Sequence, residues 1–399
     1  MRWGMKEMSP NGFKMVDLFC GAGIGASGFK LAGFDIVYAI DNKQYAVDTY
    51  NRNIGQHAVV GDVRKLKAVN LPMADVYAGG FPCTPFSVAG LGKGKKDEEL
   101  GDLGYHFFRL IQEGQPKAFL MENVGGLLNK KHRDFFDELI KLFDEAGYNV
   151  TWEYINCYEY GVPQLRKRVF AVGIRKDLKK TFKFPDKVPE DKRTTIRDAI
   201  GDLPDPDGSN NHHGYGIRND EAPFVDKVPP GGNWRDLPEE DQKAFLGKAY
   251  FSGGGKTGFL RKVSFDSPAY TITSVMNGKN NAQIVDNQDK YYEGGFSPRY
   301  KSRNRQKQWD EPSFTIVSQP RQLPLYPEPA NYDIRKMDEL EVPPPRRFTV
   351  RECLRLQTVP DWFSFSDDIS LVRQYERCSG IPSLVAYKFG IQIAELLNS

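Results

Sequence analysis

No stretch of this 399-residue chain approaches the roughly 18 consecutive apolar residues that a membrane-spanning helix needs. Residues 1–12 carry charges and no apolar run, so no secretory signal is expected. Charge of one sign is also scarce. Lys+Arg 55 against Asp+Glu 52 leaves a formal net charge of +3, too small to argue nucleic-acid binding by itself. Basic residues gather only locally, at Lys93-Gly94-Lys95-Lys96, Arg166-Lys167-Arg168, Lys301 to Lys307 and Arg346-Arg347. The 5 cysteines (Cys20, Cys83, Cys157, Cys353, Cys378) are far apart and odd in number, which argues against a disulfide framework and against closely spaced zinc ligands. His106 reads as a helix-face residue and His212-His213 as an exposed loop, so no metal site is expected. The chain is expected in a reducing cytoplasm, without membrane contact.

What the chain does have is alternation. Apolar runs at 13–19, 35–40, 57–60, 74–78, 117–121, 149–156 and 168–174 read as strands. Helical periodicity separates them at 43–53, 105–111 and 133–146, the last with Phe135, Phe136, Leu139, Ile140, Leu142 and Phe143 on one stripe. This βαβα order predicts an α/β fold with a doubly wound, mostly parallel sheet. From residue 179 to 345 the text turns rich in Pro, Gly, Asn and Asp, predicting an inserted, irregular, mostly β domain. A turn-into-strand text occurs there twice, at 266–272 and 310–316. Residues 1–178 and 346–399 then make one α/β unit, whose return is marked by Thr349 and Glu352 in a capping-box spacing.

Gly23-Ile24-Gly25-Ala26-Ser27-Gly28 follows the first strand, and Asp41 ends the second. This pattern suits NAD or FAD, suits S-adenosylmethionine, and also occurs as a structural turn. Cys83, in Gly80-Phe81-Pro82-Cys83 just past a strand, is either a small buried residue or a nucleophile on a rigid loop. Glu122-Asn123-Val124 and Gln164-Leu165-Arg166-Lys167-Arg168 also fall at strand ends, so a thiol, a carboxylate and two arginines could converge on one sheet edge.

Taken together, Asp17-Leu18-Phe19-Cys20-Gly21-Ala22-Gly23, Gly80 to Cys83, Glu122 to Val124, Tyr160 to Arg168 and Thr349 to Gln357 resemble, in order, the motifs of the cytosine carbon-5 DNA methyltransferases, of the prokaryotic restriction-modification type. The resemblance implies an S-adenosylmethionine-dependent enzyme with a Rossmann-like core. Cys83 would attack carbon 6 of a cytosine flipped out of duplex DNA. Glu122 would hold or protonate ring nitrogen 3, Arg168 would contact the carbonyl oxygen, and Arg166 would help place thiolate and phosphate. Cofactor residues carry over as Phe19, Gly21, Gly23, Asp41, Asp62, Pro82 and Ser379. The stretch Ser87–Gly104, with Gly90, Gly92, Gly94, Gly101 and Gly104, reads as a mobile lid whose Lys93, Lys95 and Lys96 meet phosphates. The insert would be the target-recognition domain, with Trp234, Arg299, Tyr300, Arg303, Arg305, Trp309 and Arg321 available to bases.

The text departs from the family at Asp41, usually Glu, and at Cys378-Ser379-Gly380-Ile381-Pro382, usually Gly-Asn-Ala-Val-Pro. It also lacks an Arg-Gly expected at Leu103-Gly104. A monomer is expected, with a restriction endonuclease of the same specificity as a further partner. The rival readings are a tRNA cytosine methyltransferase on this scaffold, an inactive DNA-binding regulator, and an oxidoreductase that would explain the glycine loop alone.

Overall fold

The computed structural model describes residues 2–82, 98–130, 132–204, 206, 208–212, 222–225, 227, 234–246, 250, 310–314 and 348–399. Cys83, the glycines and lysines of 90–96, His213, Arg299 to Trp309, Arg321 and the first of the two turn-into-strand texts lie outside them.

Strands β1 (Lys14–Leu18), β2 (Asp35–Asp41), β3 (Ala58–Val60), β4 (Val76–Gly79) and β5 (Ala118–Val124) are parallel. They are joined by β6 (Tyr148–Asn156) and β8 (Lys167–Arg175), both antiparallel to their neighbours, in the order β3-β2-β1-β4-β5-β8-β6. The short β7 (Gln164–Leu165) pairs in parallel with β9 (Ser313–Phe314), so the second of the repeated texts does turn into a strand.

Two buried faces explain the near-continuous apolar text of the strands. Met15, Ala39, Val76, Ala78, Leu120, Phe170 and Val172 point to one side. Val16, Leu18, Tyr77, Phe119, Met121, Val169 and Ala171 point to the other. Helices α1 (Ile24–Leu31) and α2 (Gln44–Asn53) cover the first face. Helices α3 (Glu98–Gly114) and α4 (Arg133–Glu145) cover the second through Phe107, Leu110, Phe136, Leu139 and Phe143.

The described part of 179–345 contributes short helices α5 (Ile196–Ile200), α6 (Ala222–Val225) and α7 (Glu239–Leu246) besides β9. Its beginning is attached to the core. Phe182 and Phe184 pack on Phe389, and Ile196, Ala199 and Ile200 share a cluster with Val350 and Leu354. The chain closes with α8 (Val350–Leu356), α9 (Leu371–Arg377) and α10 (Ser383–Asn398). The expected capping box is present: Glu352 N–H donates to Thr349 Oγ1 at 3.1 Å, and Thr349 N–H donates to Glu352 Oε2 at 2.8 Å.

Two expectations are corrected. Helix α3 begins at Glu98 rather than Tyr105, so Gly101 and Gly104 are helical and not part of a mobile loop. A Cβ on Gly104 would stand 2.7 Å from Phe135 Cζ and 3.2 Å from Phe81 Cζ, so this glycine permits close packing. His212 is buried, not exposed: its Nδ1 lies 2.7 Å from Thr349 Oγ1 and its Nε2 2.8 Å from the Pro204 carbonyl, which ties the insert's base to the cap of α8. Among the described residues, no helix is long and apolar enough to cross a membrane.

Gly28 is where α1 meets α10. A Cβ there would overlap the Ser383 carbonyl oxygen and sit 2.9 Å from Ala386 Cβ. The adjacent Ser27 and Ser383 hydroxyls, 2.6 Å apart, hold the same crossing. Because a backbone carbonyl cannot turn away, Gly28→Ala is expected to cost about 3 kcal/mol. Denaturant unfolding measures it; an unchanged midpoint would mean the helices separate freely.

Candidate active site

The strand order reverses between β1 and β4, and ligands of open α/β sheets gather outside the carboxyl ends of the strands at such a point. A cavity of about 460 Å³ lies there. The chain leaves β1 through Phe19, whose φ of 60° is a left-handed conformation that costs an aromatic residue on the order of 1–3 kcal/mol. The strain turns Phe19 onto the cavity wall, edge-on to Phe81 at 6.3 Å. Gly21 follows at φ 54°, and a Cβ there would meet nothing within 4 Å, so this backbone is open to a ligand.

Asp41, at the end of β2, accepts from Gly21 N–H at 3.1 Å and from Lys43 N–H at 3.0 Å. Asp62, after β3, caps the next turn and is held by Arg64, which keeps its carboxyl below the usual range. Gly21, Asp41, Asp62, Pro82 and Ser379 all line the cavity with Phe19, and so does Glu122.

Gly23 does not. Its left-handed φ caps α1, and a Cβ would stand 2.8 Å from Ile54 Cγ1, so it serves the packing of α1 against α2. The glycine run therefore divides, with Gly21 facing the cavity while Gly23 and Gly28 face other helices.

Among the lining residues without a role in the sequence reading, Asp17 and Arg377 stand out. Asp17 is a buried carboxyl inside β1, raised to about 8 by burial first and by the Asp41 carboxylate second. An ionisable residue within an apolar strand was the available signal. Arg377, at the end of α9, is the other, and its only signal was its place before the departure at Cys378-Ser379.

Asp17 has a measurable consequence. An unfolded chain releases this proton near pH 4, whereas the fold keeps it to about 8. Asp17's contribution to stability is thus full below pH 4, declines as the pH rises from there, and is lost above 8. In Asp17→Asn, the gain in thermal midpoint over wild type is expected to grow from pH 5 to 8 and then level off. A pH-independent difference would show that Asp17 is ionised in the fold.

At the cavity's edge, β5 and β8 place Glu122 and Arg168 on one face. Glu122 is opposite Phe170, so Arg168 is its diagonal neighbour. Arg168 Nε lies 3.1 Å from Glu122 Oε1, close but not aligned as a hydrogen bond, and Arg166 Nη2 lies 3.8 Å away. The three side chains are only 12%, 11% and 3% exposed for Glu122, Arg168 and Arg166. Burial, then Arg168, pulls Arg166 down to about 9, which leaves it charged at neutral pH. Two guanidinium groups thus converge on one carboxyl group, and positive charge of this kind favours a thiolate placed nearby.

The turn toward Cys83 is held beside this cluster. Asn123 Nδ2 donates to the Phe81 carbonyl at 3.3 Å. A Cβ on Gly80 would come within 2.9 Å of Glu122 Oε2, so glycine is what lets carboxylate and turn approach. The Thr349–Gln357 motif acts at a distance from the cavity. Arg351 is buried against the Asn210 and Phe363 carbonyls, and Gln164 Nε2 donates to the Leu356 carbonyl at 3.1 Å.

A doubly wound sheet with a cavity at its switch point, lined by the carboxyl groups of Asp17, Asp41 and Asp62, is the arrangement in which α/β proteins hold ligands. Comparison with known proteins narrows this. The family model for C-5 cytosine-specific DNA methylase matches residues 13–394. Type II methyltransferase M.FnuDI of Fusobacterium nucleatum is 33% identical over 394 residues, covering 96% of this chain and 95% of that protein. M.MthTI of Methanothermobacter thermautotrophicus is 34% identical over 357 residues, 88% of each. Among solved structures, the S. pombe Dnmt2 methyltransferase superposes with a TM-score of 0.58 at 16% identity over 97% of this chain and 98% of its own, a likeness of fold. The chain belongs to the C-5 cytosine-specific DNA methylases. It is a DNA cytosine-5-methyltransferase.

Proposed function

We propose that this chain transfers a methyl group from S-adenosylmethionine to carbon 5 of a cytosine flipped out of a specific duplex sequence, through an adduct with Cys83. What carries the reading is the juxtaposition of the cavity with the Glu122–Arg166–Arg168 cluster, beside which Asn123 holds the turn entering Cys83 through the Phe81 carbonyl. The cavity also suits an adenosyl group chemically. Phe19 offers a ring for the base, Gly21 an open backbone, Asp41 an acceptor for ribose and Asp62 one for an adenine amino group. Ser379 lines the side where the family usually has Asn. The bound cofactor supplies an electrophilic methyl group.

The protein's own residues do the rest. The Cys83 thiolate adds to ring carbon 6, and Glu122 holds or protonates nitrogen 3 as charge builds there. Arg168 donates to the carbonyl oxygen. Arg166 braces Glu122 and favours the thiolate. Pro82 stands between cofactor and base. Carbon 5 takes the methyl group with release of the thioether S-adenosylhomocysteine, a base removes the carbon-5 proton, the thiolate leaves, and any proton given to nitrogen 3 returns to Glu122. Residues 179–345 act as the target-recognition domain and 1–178 with 346–399 as the catalytic unit. The setting is a prokaryotic cytoplasm, with a monomer that protects sites from a restriction endonuclease of matching specificity.

The test is methyl transfer from labelled S-adenosylmethionine to duplex DNA and, separately, to tRNA. Label recovered as 5-methyldeoxycytidine from duplex DNA supports the reading, and bisulfite sequencing then locates the base. Label in tRNA alone, or in neither, overturns it.

A further inference from the structure

Arg377 ends α9 one residue before the departure Cys378-Ser379, and it faces the second departure, Asp41, across one corner of the cavity. Its guanidinium is fixed from outside. It stacks over the Tyr45 ring at 5.1 Å, and its Nη2 donates to the Tyr45 hydroxyl at 3.3 Å. That hydroxyl in turn donates to Glu376 Oε2 at 3.1 Å, and Arg373 stacks on the same ring at 5.1 Å. Arg377 Nε is buried with no hydrogen-bond partner among the described residues, so Tyr45 is what fixes the fork.

The remaining nitrogen, Nη1, stands 3.9 Å from Asp41 Oδ2. The gap is too long for a direct hydrogen bond. An oxygen atom set beside the line between them, about 2.8 Å from each, would bridge them. Donor on one side and acceptor on the other select a group that both accepts and donates, and a hydroxyl does both. Asp41 cannot close the gap itself, because both its oxygens are drawn back by the Gly21 and Lys43 amides.

We propose that Arg377 and Asp41 form a donor–acceptor pair that grips one ribose hydroxyl of the cofactor, which makes Arg377 a further cofactor-binding residue. The inference rests on S-adenosylmethionine being the cofactor. It also explains how this chain tolerates a carboxylate one methylene shorter than the family's usual Glu. The arginine supplies a second, charged contact to the hydroxyl that the shorter side chain reaches less well.

The experiment is equilibrium dialysis of wild type, Arg377→Ala and Arg377→Lys against S-adenosylhomocysteine and its 2′-deoxy and 3′-deoxy counterparts, with thermal unfolding of each variant alongside. A charged hydrogen bond of this kind gives Arg377→Ala an expected loss of about tenfold or more for S-adenosylhomocysteine. For the counterpart lacking the gripped hydroxyl, the loss should shrink to about twofold or less, and Arg377→Lys should recover part of the difference. Equal losses for all three ligands would mean Arg377 merely supports α9, and no loss would mean it does not bind; either overturns the proposal. Wild type that fails to bind S-adenosylhomocysteine overturns the cofactor assignment and this inference with it.

Discussion

Cys83→Ala is expected to lower methyl transfer by at least about ten-thousandfold, the scale on which enzymes lose activity when a covalent nucleophile is removed. Duplex DNA carrying 5-fluorocytosine sharpens the measurement. Fluorine at carbon 5 cannot be abstracted as a proton, so wild type with cofactor should form an adduct stable to denaturation. Cys83→Ala should form none while still binding the duplex. The alternative attackers are poorly suited. Cys20, Cys157, Cys353 and Cys378 are all buried. Burial pushes the Cys157 thiol up to about 12 and raises Cys20 and Cys378 well above the usual thiol range. Only the thiolate attacks, so Cys20, Cys157 and Cys378 stay inert at neutral pH. By contrast, the turn that leads to Cys83 is bonded to Asn123, next to Glu122 and the two guanidinium groups that meet there. An adduct that survives in Cys83→Ala would sink the mechanism.

What could be read without coordinates followed how local each signal was. Strands such as Phe119 to Met121 or Val169 to Ile174 announce themselves because both of their faces are buried, and the capping box at Thr349 and Glu352 is complete within four residues. Glu122 and Arg168 were legible as strand-end charges, but their diagonal pairing depends on β8 running antiparallel, which alternation of strands and helices does not disclose. Gly104 looked like a hinge because glycine in text is ambiguous. Only the approach of Phe135 shows that its missing side chain serves packing. His212 looked exposed for a similar reason, since the partners that bury it, Pro204 and Thr349, stand 8 and 137 residues away. Arg377 is the extreme case. Its role needs α9, α2 and β2 brought to one point, and no spacing in the sequence encodes that meeting.

Glu122→Gln is expected to lower kcat by about 10²- to 10⁴-fold with little change in duplex affinity, the range for losing a positioned proton donor. Glutamine keeps the length and can still lie beside Arg168, so contact geometry survives. It can neither give up a proton nor balance two buried guanidinium groups. The second loss has its own signature. With the carboxylate gone, Arg166 and Arg168 lose their shared ion-pair partner at 3% and 11% exposure, and breaking a buried ion pair in this way costs about 3–5 kcal/mol. The two effects separate in one experiment. The rate of adduct formation on 5-fluorocytosine duplex, measured per folded molecule well below the unfolding midpoint, reports the chemistry, and denaturant unfolding reports the ion pair. If the adduct forms at the wild-type rate once folding is accounted for, Glu122 is a structural counter-ion and nitrogen 3 must be handled by another group. If stability is unchanged while the rate falls, the arginines are balanced by something other than Glu122. A loss in both, with Glu122→Asp also slow because its carboxyl is withdrawn by one methylene, is the outcome that a carboxyl group held against two arginines at the mouth of the cavity requires.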